Sequence, residues 1–149
     1  MRSLYVHFPF CMQKCPYCSF YSESGCEQKM ESYIQKLQQE ASKFPPQEVQ
    51  SIYFGGGTPT TLPGNLLSGF LAFLLNMFPC NGEITIEANP ATLSFSQLKS
   101  LRLSGFNRIS IGIQSLCDDE LHFLGRLHSS KDAIQAVHDA ASAGFENIS

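Results

Sequence analysis

Three cysteines fall within eight positions of this chain: Cys11, Cys15 and Cys18, in the stretch HFPFCMQKCPYCSFYS. Thiols at C-x3-C-x2-C spacing have three chemical uses. A disulfide would join two of them and strand the third. A zinc site would need a fourth ligand, for which Cys26 and His7 are the candidates. Structural zinc sites usually present two C-x2-C-like knuckles, and this spacing does not match them. An iron–sulfur cluster takes thiolate ligands, and a short loop can wrap a cubane. Three thiolates then leave one iron open to a small molecule, much as an open coordination position marks a catalytic zinc. Spacing and context favour the cluster over zinc.

Composition narrows the setting. The 149 residues suffice for one domain with a real core, and 43% hydrophobic with 15% charged residues is a globular balance. A formal net charge of -3 without a Lys/Arg run gives no basis for a nucleic-acid partner. The first ten residues lack the apolar core of a signal peptide, and the run GFLAFLLNMF at 69–78 is too short to cross a bilayer. A cytoplasmic location is expected. In that reducing compartment, clustered cysteines are metal ligands or catalytic groups more often than disulfides. Cys26, Cys80 and Cys117 are scattered and are read as ordinary residues.

The elements that position the thiols alternate between strand and helix. SLYVHF (3–8), VQSIYF (49–54), EITIEA (83–88) and RISIGIQ (108–114) read as strands. Met30, Tyr33, Ile34, Leu37, Ala41 and Phe44 recur at helical spacing until Pro45-Pro46. Residues 65–78 form a second, largely buried helix. Ser94 and Gln97 have the form of a capping box opening a third helix, which Gly105 ends. Ser130 is the expected cap of a helix carrying Ala133, Ile134, Val137, Ala140 and Ala141, ended by Gly144. The alternation implies βαβ units and a parallel sheet, with strands apolar enough for both faces to be covered. SGFNRIS (104–110) and AGFENIS (143–149) repeat one helix-to-strand junction. The second copy stops at Ser149, so the chain is expected to be part of a longer βα protein.

Ligands of parallel sheets sit at the carboxyl ends of the strands. There this sequence places the cysteine loop, then GGGTPT (55–60), then Glu87 before Ala88-Asn89-Pro90, then Gln114-Ser115. The glycines allow close backbone approach, but the stretch lacks the Lys of a P-loop. Glu87 and Gln114 can bind a ligand or serve as paired strand-end residues. Arg126, in LGRLHS, can pair with a carboxylate or lie on the surface. His122, His128 and His138 share no metal spacing.

YVHFPFCMQKCPYCSF, YFGGGTPT, IEANP and SIGIQS together resemble the radical S-adenosylmethionine superfamily. Within it they resemble the branch of oxygen-independent coproporphyrinogen III oxidases and related heme chaperones. The likeness runs through essentially the whole chain. It implies an α/β fold, the N-terminal part of an incomplete (β/α)6 barrel cut near the start of its fifth strand. Residues 1–149 would be part of the core domain, with the remaining barrel and the heme-binding region outside. Cys11, Cys15 and Cys18 are implied ligands of a [4Fe–4S] cluster, with the amino and carboxylate groups of S-adenosylmethionine on the fourth iron. Tyr5, Tyr17, Gly56, Gly57 and Thr58 are implied to line that site, with Glu87 and Gln114 on the ribose and Arg126 on the carboxylate. An acidic residue is expected just past Ser149. The implied chemistry is one-electron cleavage of the sulfonium to a 5′-deoxyadenosyl radical, which takes a hydrogen atom from a substrate.

One position separates the two members of the branch. The oxidases resemble C-x3-C-x2-C-x-C, whereas this chain has Phe20 where their extra Cys stands. That pattern is similar to the heme chaperones, which bind heme and pass it to acceptor proteins. The implied partners are S-adenosylmethionine, heme or porphyrin, a one-electron donor and heme acceptors. The alternatives are coproporphyrinogen III oxidase, making protoporphyrinogen IX, and a zinc-stabilised α/β binding module.

Overall fold

A computed structural model describes residues 2–149. Five strands, β1 (Ser3–Phe8), β2 (Val49–Gly56), β3 (Cys80–Ala88), β4 (Arg108–Ile111) and β5 (Asn147–Ile148), lie side by side in chain order. Every neighbouring pair is parallel. The order never reverses, so the sheet is wound in one direction. The helices α1 (Met30–Ala41), α2 (Gly64–Met77), α3 (Phe95–Ser104) and α5 (Ser130–Ser142) pack on one face, and a short α4 (Asp118–Phe123) follows β4.

The core lies between that face and the helices. Alternate strand residues Val6, Phe8, Ile52, Phe54, Ile84, Ile86, Ile109 and Ile111 are buried there, against Ile34, Leu67, Phe70, Leu71, Leu74, Leu98 and Leu101. Phe54 sits at its centre, with Phe8, Phe70 and Phe106 rings at centroid distances of 5.0, 5.8 and 5.1 Å. The opposite face is polar: Tyr5, His7, Ser51, Tyr53, Glu83, Thr85, Glu87, Arg108 and Ser110 occupy the other positions of the alternation. Coverage of both faces by apolar packing was the sequence expectation, and the strands instead have one greasy and one polar side. On the polar side Arg108 pairs with Glu83 at 3.1 Å, and Thr85 Oγ1 donates to the same carboxylate.

Element ends follow local chemistry. Ser94 accepts from the Gln97 N–H as expected, but the Gln97 side chain donates to Thr60 O and Leu62 O and does not complete the box. The full capping box lies at α5, and its cap is Ser129, not Ser130: Ser129 Oγ accepts from Asp132 N–H while Asp132 accepts from Ser129 N–H. The helix α1 stops at Ala41, three residues short of Phe44, because a residue before proline is driven out of the helical region. Phe44 is therefore exposed rather than core. On α5 the buried stripe is Ala133, Ala136 and Ala140, while Ile134 and Val137 face outward. The short α4 has no counterpart among the sequence expectations.

The repeated junction is real. Gly105 and Gly144 end their helices at φ +120° and +96°, and Phe106 and Phe145 both plug the core. Their strands pair directly, Arg108 with Asn147 and Ile109 with Ile148. Phe54→Ala should cost about 3–5 kcal/mol, since it empties a fully buried aromatic site. Urea denaturation would read this, and a loss below about 1 kcal/mol would mean the four-ring cluster is not the centre of the core.

Candidate functional site

The carboxyl ends of β1, β2, β3 and β4 surround a cleft of about 350 Å³. Two backbone bonds build its floor. After β1 the chain continues through Pro9 and Phe10 into the cysteine loop, and Gly57 and Thr58 N–H groups donate to Phe8 O and Phe10 O at 2.8 and 2.7 Å. This approach requires glycine. A Cβ on Gly57 would lie 2.6 Å from Phe10 O and 3.0 Å from Cys11 Sγ. At Gly56 the φ of +114° is glycine territory, and a Cβ would strike the His7 ring.

Cys11, Cys15 and Cys18 all line this cleft, and all are free and partly exposed. Cys11 Sγ lies 3.7 Å from Thr58 Oγ1. Among the described residues, no three His, Cys, Asp or Glu side chains gather around a single point as one metal ion requires. The proposed fourth zinc ligands are engaged elsewhere. Cys26 Sγ donates to Glu23 at 3.3 Å, and His7 lies between Tyr5 Oη and Tyr21 O at 3.1 and 3.3 Å. Glu23 accepts from Tyr21, Lys29 and Cys26, with the Tyr21 hydroxyl contributing most, and its carboxyl is held down at about 2.

Gly56, Gly57, Thr58, Glu87, Gln114, Tyr17 and Arg126 line the same cleft, together with Asn89 and Ser110. Tyr5 does not; it stands behind the wall, stacked on Tyr53 with ring centroids 6.0 Å apart. Gln114 is reached differently from the sequence expectation. The strand β4 ends at Ile111, and Gln114 turns back toward the cleft at φ +64°. Arg126 arrives from the segment after α4. Its Nη2 donates to Gly112 O at 2.7 Å, and its Nη1 reaches Tyr17 Oη at 3.3 Å and Cys15 Sγ at 3.5 Å. Its Nε is buried without a partner.

Tyr53 was missed by pattern reasoning, because an aromatic residue inside a strand reads as core. Its hydroxyl donates to Glu87 Oε1 at 2.6 Å while Gly56 N–H donates to Oε2 at 3.1 Å, so the carboxylate is held from two sides. His128, assigned no role, is buried and hydrogen-bonds Ile113 O at 3.1 Å. A larger cavity of about 600 Å³ lies behind Cys11, beside the starts of α2 and α3, but brings none of the other cleft groups together.

Residues 5–149 match the family model described as the radical SAM superfamily. The chain belongs to that superfamily. The heme chaperone HemW of Bacillus subtilis is 36% identical over 156 residues, covering 100% of this chain and 41% of that protein. The mitochondrial radical S-adenosyl methionine domain-containing protein 1 of Bos taurus is 37% identical over 144 residues, covering 93% and 33%. Among solved structures, coproporphyrinogen III oxidase (HemN) from Escherichia coli superposes with a TM-score of 0.89 at 31% identity, over 98% of this chain and 35% of that one. The chain thus spans about two fifths or less of the relatives it matches. Its sheet of sequential parallel strands is the radical SAM fold, and membership implies a [4Fe–4S] cluster and S-adenosylmethionine.

The Tyr53 phenol is pushed up to about 12, by burial first and then by its bond to Glu87. A group whose pKa is higher folded than unfolded contributes fully below its unfolded value and loses that contribution as pH climbs through the folded one. Its contribution is therefore whole below pH 10 and fades toward pH 12. Urea denaturation at stepped pH should show Tyr53→Phe less stable than wild type at pH 8, with the difference shrinking above pH 10. A difference independent of pH would refute the bond to Glu87.

Proposed function

We propose that this chain is the cluster-binding part of a radical S-adenosylmethionine heme chaperone, with heme held elsewhere in the full protein. The observation that carries this is the convergence of three free cysteines with Gly57, Glu87 and Arg126 on one cleft. The donor set fits the group. Three thiols on one cleft suit the thiolate ligation of an iron–sulfur cluster, and the orphaned Arg126 Nε fits an anionic ligand. Cys11, Cys15 and Cys18 hold the [4Fe–4S] cluster. Tyr17, Gly56, Gly57 and Thr58 shape the S-adenosylmethionine pocket, with Tyr5 supporting it from behind. Glu87, fixed by Tyr53 and Gly56, offers acceptors to ribose hydroxyls, as Gln114 offers its amide. Arg126 answers the carboxylate. When bound, the cofactors supply one-electron cleavage of a sulfonium, and the protein supplies placement and exclusion of water.

Heme transfer is favoured over porphyrin synthesis by two features. Relatives named heme chaperones cover almost the whole chain, and Phe20 stands where the oxidases have a further cysteine. The second reading is coproporphyrinogen III oxidase, favoured by the close superposition on HemN. A cytoplasmic place accords with free thiols, and among the described residues no helix is long and apolar enough to cross a membrane. A one-electron donor and heme-accepting proteins are the remaining partners.

Anaerobic reconstitution with iron and sulfide should load about four irons per chain. Replacing any one of Cys11, Cys15 or Cys18 with Ala should abolish the reduced-cluster EPR signal, whereas Cys26→Ala should leave it intact. Stoichiometric zinc without sulfide would end the cluster assignment. With the full-length protein, heme should bind and pass to an apo-acceptor. Conversion of coproporphyrinogen to protoporphyrinogen in the presence of S-adenosylmethionine would instead establish the oxidase.

A further inference from the structure

Arg126 is a cation at the cleft, and among the described residues its guanidinium has no carboxylate within ion-pair distance. A half-buried charge without a counter-ion is costly unless something else compensates it. Its actual neighbours are informative. Nη2 is pinned to Gly112 O at the end of β4, and Nη1 faces the Cys15 sulfur.

The backbone carrying Arg126 is stitched to the cysteine loop independently. Gln13 Nε2 donates to Gly125 O at 3.3 Å, and Pro16 packs so closely on Gly125 that an added Cβ would lie 3.1 Å from its Cδ. Gly125 also sits at φ +67°, where glycine is favoured. On its other side the segment closes α4, with Arg126 N–H donating to Leu121 O above a buried Leu121. Arg126 is thus held from the strand end, the helix end and the cysteine loop together, and its placement beside Cys15 does not depend on one flexible side chain.

A fixed cation that hydrogen-bonds a ligand sulfur stabilises added negative charge more than it stabilises the oxidised state. Hydrogen bonds to the sulfurs and local charge are among the factors that set iron–sulfur potentials. We infer that Arg126 is a positioning residue of the cluster site, donating to the Cys15 sulfur and raising the cluster's reduction potential. This rests on the cluster assignment above, and it is separate from any contact between Arg126 and the S-adenosylmethionine carboxylate.

The test is an EPR-monitored redox titration of cluster-loaded protein without S-adenosylmethionine, comparing wild type with Arg126→Gln and Arg126→Lys. Arg126→Gln should lower the equilibrium constant for cluster reduction about tenfold, which is about 59 mV for one electron. Arg126→Lys, which keeps the charge without the fork, should recover part of that shift. A midpoint unchanged in both loaded variants, with only S-adenosylmethionine affinity altered, would overturn the tuning role. If neither variant retains its irons, Arg126 is a structural brace of the loop and the tuning role also falls. Failure of wild type to load iron is a different result, and it would sink the cluster assignment itself.

Discussion

Two backbone hydrogen bonds, from Gly57 to Phe8 O and from Thr58 to Phe10 O, hold the cysteine loop against the glycine loop. Everything at the cleft depends on that approach. The parallel register sets Phe8 opposite Gly56, so the two chains leave the sheet at the same level. Phe8 and Phe10 are buried, which anchors the lead-in to the cysteines in the core. Each such bond is worth only about 1 kcal/mol net. Their importance is geometric, because they fix where Cys11 begins and leave no room for a side chain at Gly57.

The same economy appears in the sheet. One alternation of each strand is spent on the aromatic and aliphatic core around Phe54, and the other is left polar. Burial drives folding from one face, while the second face is free to carry groups that would be expensive inside a core. Those groups are satisfied in layers. Glu83 is met by Arg108, Thr85 and Asn147, and nearer the cleft Glu87 is met by Tyr53 and Gly56. Polar residues that read in isolation as ordinary strand positions thus form the wall below the site.

Much of this was legible in the residues, for reasons that differ by element. The five strands and their parallel order follow from alternating β-rich runs and helical spacing, and the repeated Gly-Phe junction marks two equivalent crossovers. The cysteines and glycines were legible because spacing and conformational freedom are local properties. The Ser129 cap was misplaced by one residue because Ser129 and Ser130 look alike until Asp132 chooses between them. Ile134 and Val137 belong to α5 as their spacing indicates, but helical spacing identifies a stripe and not which of two adjacent stripes faces the sheet. Tyr5 was expected at the cleft and lies behind it, and Tyr53 was overlooked, since strand alternation does not reveal a side-chain hydrogen bond to the neighbouring strand. The helix α4 is too short for periodicity to detect.

Charge balance links these parts. Among the groups lining the cleft, Arg126 is the cation, facing three thiols and the Glu87 carboxylate. Glu87 already has two donors, so it does not need the guanidinium. The Tyr17 phenol is pushed up by burial and drawn down by Arg126, so the positive charge is felt inside the loop. Thiols must lose protons to serve as ligands, and that adds negative charge on one side of the cleft. The cation that balances this charge is braced from three directions, and its buried Nε–H is left without a partner.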